Sequence, residues 1–226
     1  MTPHTSVRIW DLPTRLFHWA LAACVIALVI TAKVGGNAME WHFRFGYCVL
    51  ALLVFRIVWG LAGGYWSRFH VFLFSPARVF RYLHGNTHPD DNIGHSPLGA
   101  LSVFVLLAVL VAQVASGLLS DDEIAFAGPL AHFVSNATVG LATGYHTEIG
   151  QFLVLGLVGL HLLAIAFYVG VRKQRLVRPM VNGNKALPAS TKPSRDDAAS
   201  RMAALVVLAV SAGLSWWVSS LAATAF

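Results

Sequence analysis

Residues 145–161 read Y-H-T-E-I-G-Q-F-L-V-L-G-L-V-G-L-H, and the rest of the chain is interpreted around them. His146 and His161 stand 15 residues apart in an otherwise apolar run. On a helix rising ~1.5 Å per residue that spacing is roughly 22 Å, most of a bilayer's hydrocarbon thickness. At ~3.6 residues per turn the two side chains lie about 60° apart in projection, close enough to share a face. An imidazole in an apolar helix is costly unless something uses it. Two of them near opposite ends of one span suggest two stacked centres, each needing a second ligand.

Composition sets the class. The chain has 226 residues, 57% hydrophobic and 12% charged, with a mean hydropathy of +0.66. These values exclude an ordinary soluble domain and indicate an all-α polytopic membrane protein. The net charge of +6 is no sign of nucleic-acid binding, because the cations flank apolar runs. Cys24 and Cys48 lie in apolar segments without a C-x-x-C or C-x-x-C-H pattern, so neither a disulfide scaffold nor covalent haem attachment is expected.

Four spans are expected at about 16–32, 41–62, 97–119 and 146–171, within a core domain of 1–184. The first run, Leu16–Ala32, holds His18 and Trp19 and lacks an A-x-A site, so it is read as a retained helix, not a signal peptide. Ser75-Pro76 predicts a short surface helix over Pro76–Leu83, and Ser96-Pro97 opens the third span. The piece Ile124–Val139, broken by Gly128-Pro129, is expected to lie on the membrane surface. Residues 185–201 are read as a flexible cytoplasmic linker, and 202–226 as a fifth, C-terminal transmembrane helix.

Thirteen of the 16 Lys and Arg fall in the N-terminus, the 65–96 connection and the 172–201 stretch; the 33–40 and 120–145 loops hold only Lys33 and four acids. The positive-inside rule then predicts a cytoplasmic N-terminus, a periplasmic C-terminus and a bacterial inner membrane. With that threading His18 and His161 share the cytoplasmic level, and His42 and His146 the periplasmic one. Two haems with two axial histidines each use all four, and bis-imidazole ligation leaves no open iron position, which favours electron transfer. The ~22 Å between levels excludes a single four-histidine metal site.

Arg56 lies 14 residues after His42, about one span deeper on the same helix, and is expected to meet haem propionates or to snorkel. Arg44 is the corresponding candidate on the periplasmic side. His95, in G-H-S-P-L-G, is open between a propionate or quinone contact and a plain loop histidine. His70, His84, His88 and His132 are read as solvated or interfacial.

The motifs R-I-W-D-L-P-T-R-L-F-H-W, W-H-F-R-F-G-Y with F-R-I-V-W-G, G-H-S-P-L-G-A-L, and H-T-E-I-G with G-L-H and L-V-R-P-M-V-N-G resemble the bacterial cytochrome b561 and nickel-hydrogenase b-type cytochrome family over about residues 6–184. The resemblance implies a four-helix bundle with two b-type haems, ligated from the first helix, the second and twice from the fourth, matching His18, His42, His146 and His161. It implies quinone-linked electron transfer with a periplasmic redox partner, a hydrogenase-like protein or a c-type cytochrome. The fifth helix lies outside that pattern; docking of a partner subunit, docking of a second copy and plain anchoring in lipid all remain open for it. Some members of the resembled family are stand-alone superoxide:quinone oxidoreductases, which is the alternative function. A haem-free transporter or assembly protein is a further one.

Overall fold

A computed structural model describes residues 4–224. Five helices are long and apolar enough to cross a membrane: α1 (Leu12–Val34), α2 (Ala38–Ala62), α4 (Pro97–Leu119), α5 (Asn136–Gly170) and α7 (Ala198–Ser220). Between them lie α3 (Pro76–Leu83) and α6 (Val177–Asn182). The segment at Pro76–Leu83 has the expected bounds, with Ser75 Oγ accepting from the Arg78 amide and proline in the first turn. The side chains facing outward are those of a lipid-embedded protein: Leu163 is 70% exposed and Phe152 62%. In hydrocarbon such exposure costs nothing, and helix association rests on close packing and internal hydrogen bonds.

The chain forms two compact units. One comprises Met1–His18, Arg56–Val105 and Leu160–Val207; the other comprises Trp19–Phe55, Leu106–Gly159 and Leu208–Phe226. Each long helix lends part of its length to each unit.

The first unit contains an element that hydropathy did not predict, a two-stranded antiparallel ribbon. Strand β1 (His4–Arg8) pairs with β2 (Asn184–Pro188), Val7 opposite Lys185. Gly183, at φ 85°, ends α6 and turns the chain into β2; its carbonyl accepts from the amides of both Ile9 and Trp10. Residues 185–201, whose composition reads as a flexible linker, are therefore held in place. Ser194 Oγ donates to Ile9 O at 2.6 Å, Trp66 Nε1 donates to Lys192 O at 2.8 Å, and Asp196 accepts from the Leu12 amide and pairs with Arg8 and Arg201. Sequence composition weighs polarity alone. It does not register partners that lie some 180 residues away.

The same unit holds a buried polar hub. Asp11, fully buried, precedes α1 and accepts from the Thr14 amide at 2.8 Å, which caps the helix. The same carboxylate accepts from the Gly64 amide, Ser67 Oγ and Trp59 Nε1. Gly64 is required here, since a Cβ on it would stand 2.2 Å from Asp11 Oδ2. One carboxylate thereby joins the start of α1 to the end of α2.

The second unit has an apolar centre of Val49, Leu53, Leu110 and Val154, flanked by Leu21, Leu28, Val114 and Val158. Ser215 of α7 donates to Tyr47 O at 2.6 Å. The fourth span starts ten residues before the expected His146. Ser135 caps it by accepting from the Thr138 amide, so the end of the Ile124–Val139 piece, read from Gly128-Pro129 as a broken surface segment, belongs to the span. Residues Tyr145–Gly150 form a π-helical turn within it.

Candidate functional site

The four singled-out histidines occur as two pairs, one in each unit. In the second unit His42 on α2 faces His146 in the π turn of α5, with ring centroids 6.2 Å apart and planes at 90°. In the first unit His18 on α1 faces His161 on α5, with centroids 6.4 Å apart and planes at 53°. All four rings are half-buried.

These separations suit one group in particular. Metal–imidazole bonds of about 2.0–2.1 Å, plus about 1.2 Å from ring nitrogen to ring centre, put two imidazoles on opposite sides of one iron about 6.4 Å apart by centroid. Among the described residues no three His, Cys, Asp or Glu gather as a metal site. A bare ion would lack protein donors at either pair. A haem, which brings four equatorial nitrogens of its own, requires only the two axial ones.

The surroundings of His42 and His146 define their ring chemistry. His42 Nδ1 lies 3.1 Å from Leu28 O, with Thr31 Oγ1 at 3.3 Å; His146 Nδ1 lies 2.9 Å from Gln113 O. A carbonyl only accepts, so Nδ1 carries the proton in each ring and Nε2 keeps the lone pair for a metal. Gln113 Nε2 also donates to His146 O at 3.0 Å, satisfying a carbonyl in the π turn. Gly117 supplies the space, since a Cβ there would meet His146 Cε1 at 2.7 Å. Sequence reading missed Gln113 and Gly117. The one amide in an apolar helix was the available signal for the first, and none existed for the second.

Arg56 is 3% exposed. Its Nη1 donates to Ser67 O at 3.1 Å, and its guanidinium lies over Phe69 at 4.6 Å and over Phe17, the residue before His18, at 6.0 Å. It is enclosed within the unit that holds His18 and His161, which does not fit the snorkelling alternative. Arg44 differs: it is exposed, pairs with Glu40 at 3.7 Å and lies over the Trp41 ring. The structure gives it no contact with the His42/His146 pair. His95 sits between Trp10 and Phe72, ring centroids 4.6 and 4.3 Å away. Its Nδ1 is shielded from solvent and has no hydrogen-bond partner among the described residues. Burial, reinforced by the positive charge of Arg56, lowers its pKa to about 3, so the ring is neutral at physiological pH. His70, His84, His88 and His132 are exposed, as expected of connection residues.

The sequence profile of the prokaryotic cytochrome b561 family matches residues 9–183. Similar relatives include a probable Ni/Fe-hydrogenase B-type cytochrome subunit of Azotobacter chroococcum, 26% identical over 79% of this chain and 88% of the relative. A protein of the same description from Rhodobacter capsulatus is 22% identical over 80% and 82% of the two chains. A probable Ni/Fe-hydrogenase 1 B-type cytochrome subunit of Escherichia coli is 24% identical over 48% and 57%.

Proposed function

The chain belongs to the prokaryotic cytochrome b561 family, and from that premise we propose that it holds two bis-histidine b-type haems and exchanges electrons between the quinone pool and a periplasmic redox protein. The coarse function follows from the family and the spans: a multi-pass bacterial membrane b-type cytochrome for electron transfer. The observation that carries the finer reading is the pairing of four histidines two by two, each pair at a centroid distance suited to one iron.

A b-type haem, when bound, supplies a reversible one-electron couple at iron. His42 with His146, and His18 with His161, would provide the axial nitrogens. The Leu28 and Gln113 carbonyls hold His42 and His146 in the tautomer that leaves Nε2 free. Arg56, buried near Phe17, is the candidate counter-charge for propionates in the first unit. His95, neutral beside it, is the candidate contact for a propionate or a quinone oxygen. Arg44 supports a propionate role less well, because Glu40 already engages it.

The partner we favour is a hydrogenase-like protein or a c-type cytochrome, the former because the similar relatives are described as hydrogenase cytochrome subunits. The loop carrying Asp121, Asp122 and Glu123 would offer it an acidic face. The superoxide:quinone alternative needs steering cations on the periplasmic side, for which Lys33 and Arg44 are the candidates; Arg44 is already paired with Glu40, and Asp121, Asp122 and Glu123 oppose an anionic substrate. The haem-free alternative loses support from membership of a b-type cytochrome family.

The test is haem stoichiometry of the purified full-length protein. Two b-type haems per chain are expected, with His161→Ala and His146→Ala each keeping one. A single haem in the wild type, or two in either folded variant, would overturn the assignment. Rapid reduction by superoxide in the absence of any partner would transfer support to the stand-alone enzyme.

A further inference from the structure

Beyond Gly170, the last residue of α5, the chain turns sharply and leaves a surface cleft of about 330 Å³. Its lining is divided by chemistry. Lys173, Arg175 and Arg178 give three cations, Gln174 gives an amide, and Val169, Leu176 and Val177 give an apolar wall. No carboxylate lines it.

Charge placement alone does not account for this grouping. The positive-inside rule explains why cations follow a span, not why they converge on a concave surface without a counter-charge. Most other basic side chains of the same unit are engaged. Arg78 pairs with Asp91, Arg8 and Arg201 with Asp196, and Arg195 with Asp197. Lys192 lies over the Tyr65 ring, and Lys185 donates to Asn92 O. Lys173, Arg175 and Arg178 have no ion pair or hydrogen bond from their side chains among the described residues.

The backbone adds a second observation. Lys173 adopts φ 55°, the left-handed conformation in which glycine is the low-cost residue. The turn around it is fixed by the Arg172 amide to Phe167 O and the Gln174 amide to Tyr168 O. A lysine at such a strained position beside two further cations points to use of its charge. On the face of α5 that meets the cleft, Leu162, Ala166 and Val169 are exposed at i, i+4 and i+7, an apolar track leading to the cations.

We propose that this cleft binds the phosphate headgroup of an anionic phospholipid, with its acyl chains along the Leu162–Val169 track. Guanidinium groups are suited to bidentate phosphate contacts, and basic pockets at the membrane boundary are suited to anionic headgroups. A free phosphate would make the same polar contacts but gain nothing from the apolar track.

The test uses the full-length holoprotein in nanodiscs of phosphatidylcholine alone or mixed with cardiolipin or phosphatidylglycerol, with lipids retained after release read by native mass spectrometry. The wild type should retain anionic lipid over phosphatidylcholine by at least about tenfold, given the attraction available from three cations. Lys173→Gln, Arg175→Gln and Arg178→Gln together should abolish the preference while the haem spectrum is unchanged. Lys173→Gly should weaken retention without lowering the melting temperature, since it relieves the left-handed residue. Equal retention by the wild type and the triple variant, or no preference for anionic lipid in the wild type, would overturn the proposal. So would displacement of the bound lipid by inorganic phosphate at matched concentration, which would assign the cleft to the free ion.

Discussion

At the scale of single residues, the proposed function rests as much on neighbours as on histidines. His146 can present Nε2 only because Gln113 O accepts from Nδ1 and because position 117 has no side chain. Gly117→Val would put methyl groups where the ring now lies. Either the ring moves or α4 and α5 separate locally, and overpacking of this kind costs roughly 1–3 kcal/mol. The expected outcome is loss or spectral shift of the haem assigned to His42/His146, with the one assigned to His18/His161 retained. Redox titration of the purified variant would check this by resolving the two components. An unaltered pair of components would show that the Gly117 contact does not set the ring position. Histidine spacing is visible in a sequence because it is written in residue identity and count. The contacts that orient those rings are not visible, because they use backbone carbonyls that every residue has.

At the scale of elements, the sequence made the helices legible and left their ends and connections obscure. The spans beginning at Pro97 and ending at Ala62 lie where hydropathy and capping place them. The start of α5 at Asn136 was hidden because Gly128-Pro129 breaks the apolar piece that leads into it, while the helix starts only after that break, capped by Ser135. The ribbon β1–β2 was hidden because a two-stranded pairing over such a sequence distance leaves no local pattern. Asp11 reads as an ordinary loop acid, yet it caps α1 and holds the Gly64, Ser67 and Trp59 donors in a buried site. Asp11→Ala would leave those donors unsatisfied, at a cost of about 3–5 kcal/mol. Because α1 carries His18 two turns beyond this cap, the melting temperature should fall and haem should be lost first from the His18/His161 pair. Haem content measured along a thermal ramp, in the wild type and the variant, checks both parts. A variant that melts earlier but loses both haems together would leave Asp11 as a general support, not one specific to α1.

At the scale of the whole molecule, sequence charge and the observed spans make a joint claim about orientation. An odd number of spans predicts that the two ends of the chain lie on opposite sides of the bilayer. The basic connections at 65–96 and 172–201 alternate with those at 33–40 and 120–145, where Lys33 is the one cation, so a single orientation satisfies the positive-inside rule at every connection. That orientation assigns His42/His146 and the Asp121–Glu123 loop to the periplasmic side, and His18/His161, Arg56 and His95 to the cytoplasmic side. Alkaline phosphatase fused after Phe226 should therefore be active, while the same enzyme inserted at the exposed His84–His88 segment should be inactive; a fluorescent protein at each point should give the opposite pattern. The reverse result would move the acidic loop to the cytoplasm. The proposed partner would then have to be cytoplasmic, even if both haems and all four ligands stood as assigned. Orientation is thus the measurement that separates what the histidines do from whom they serve.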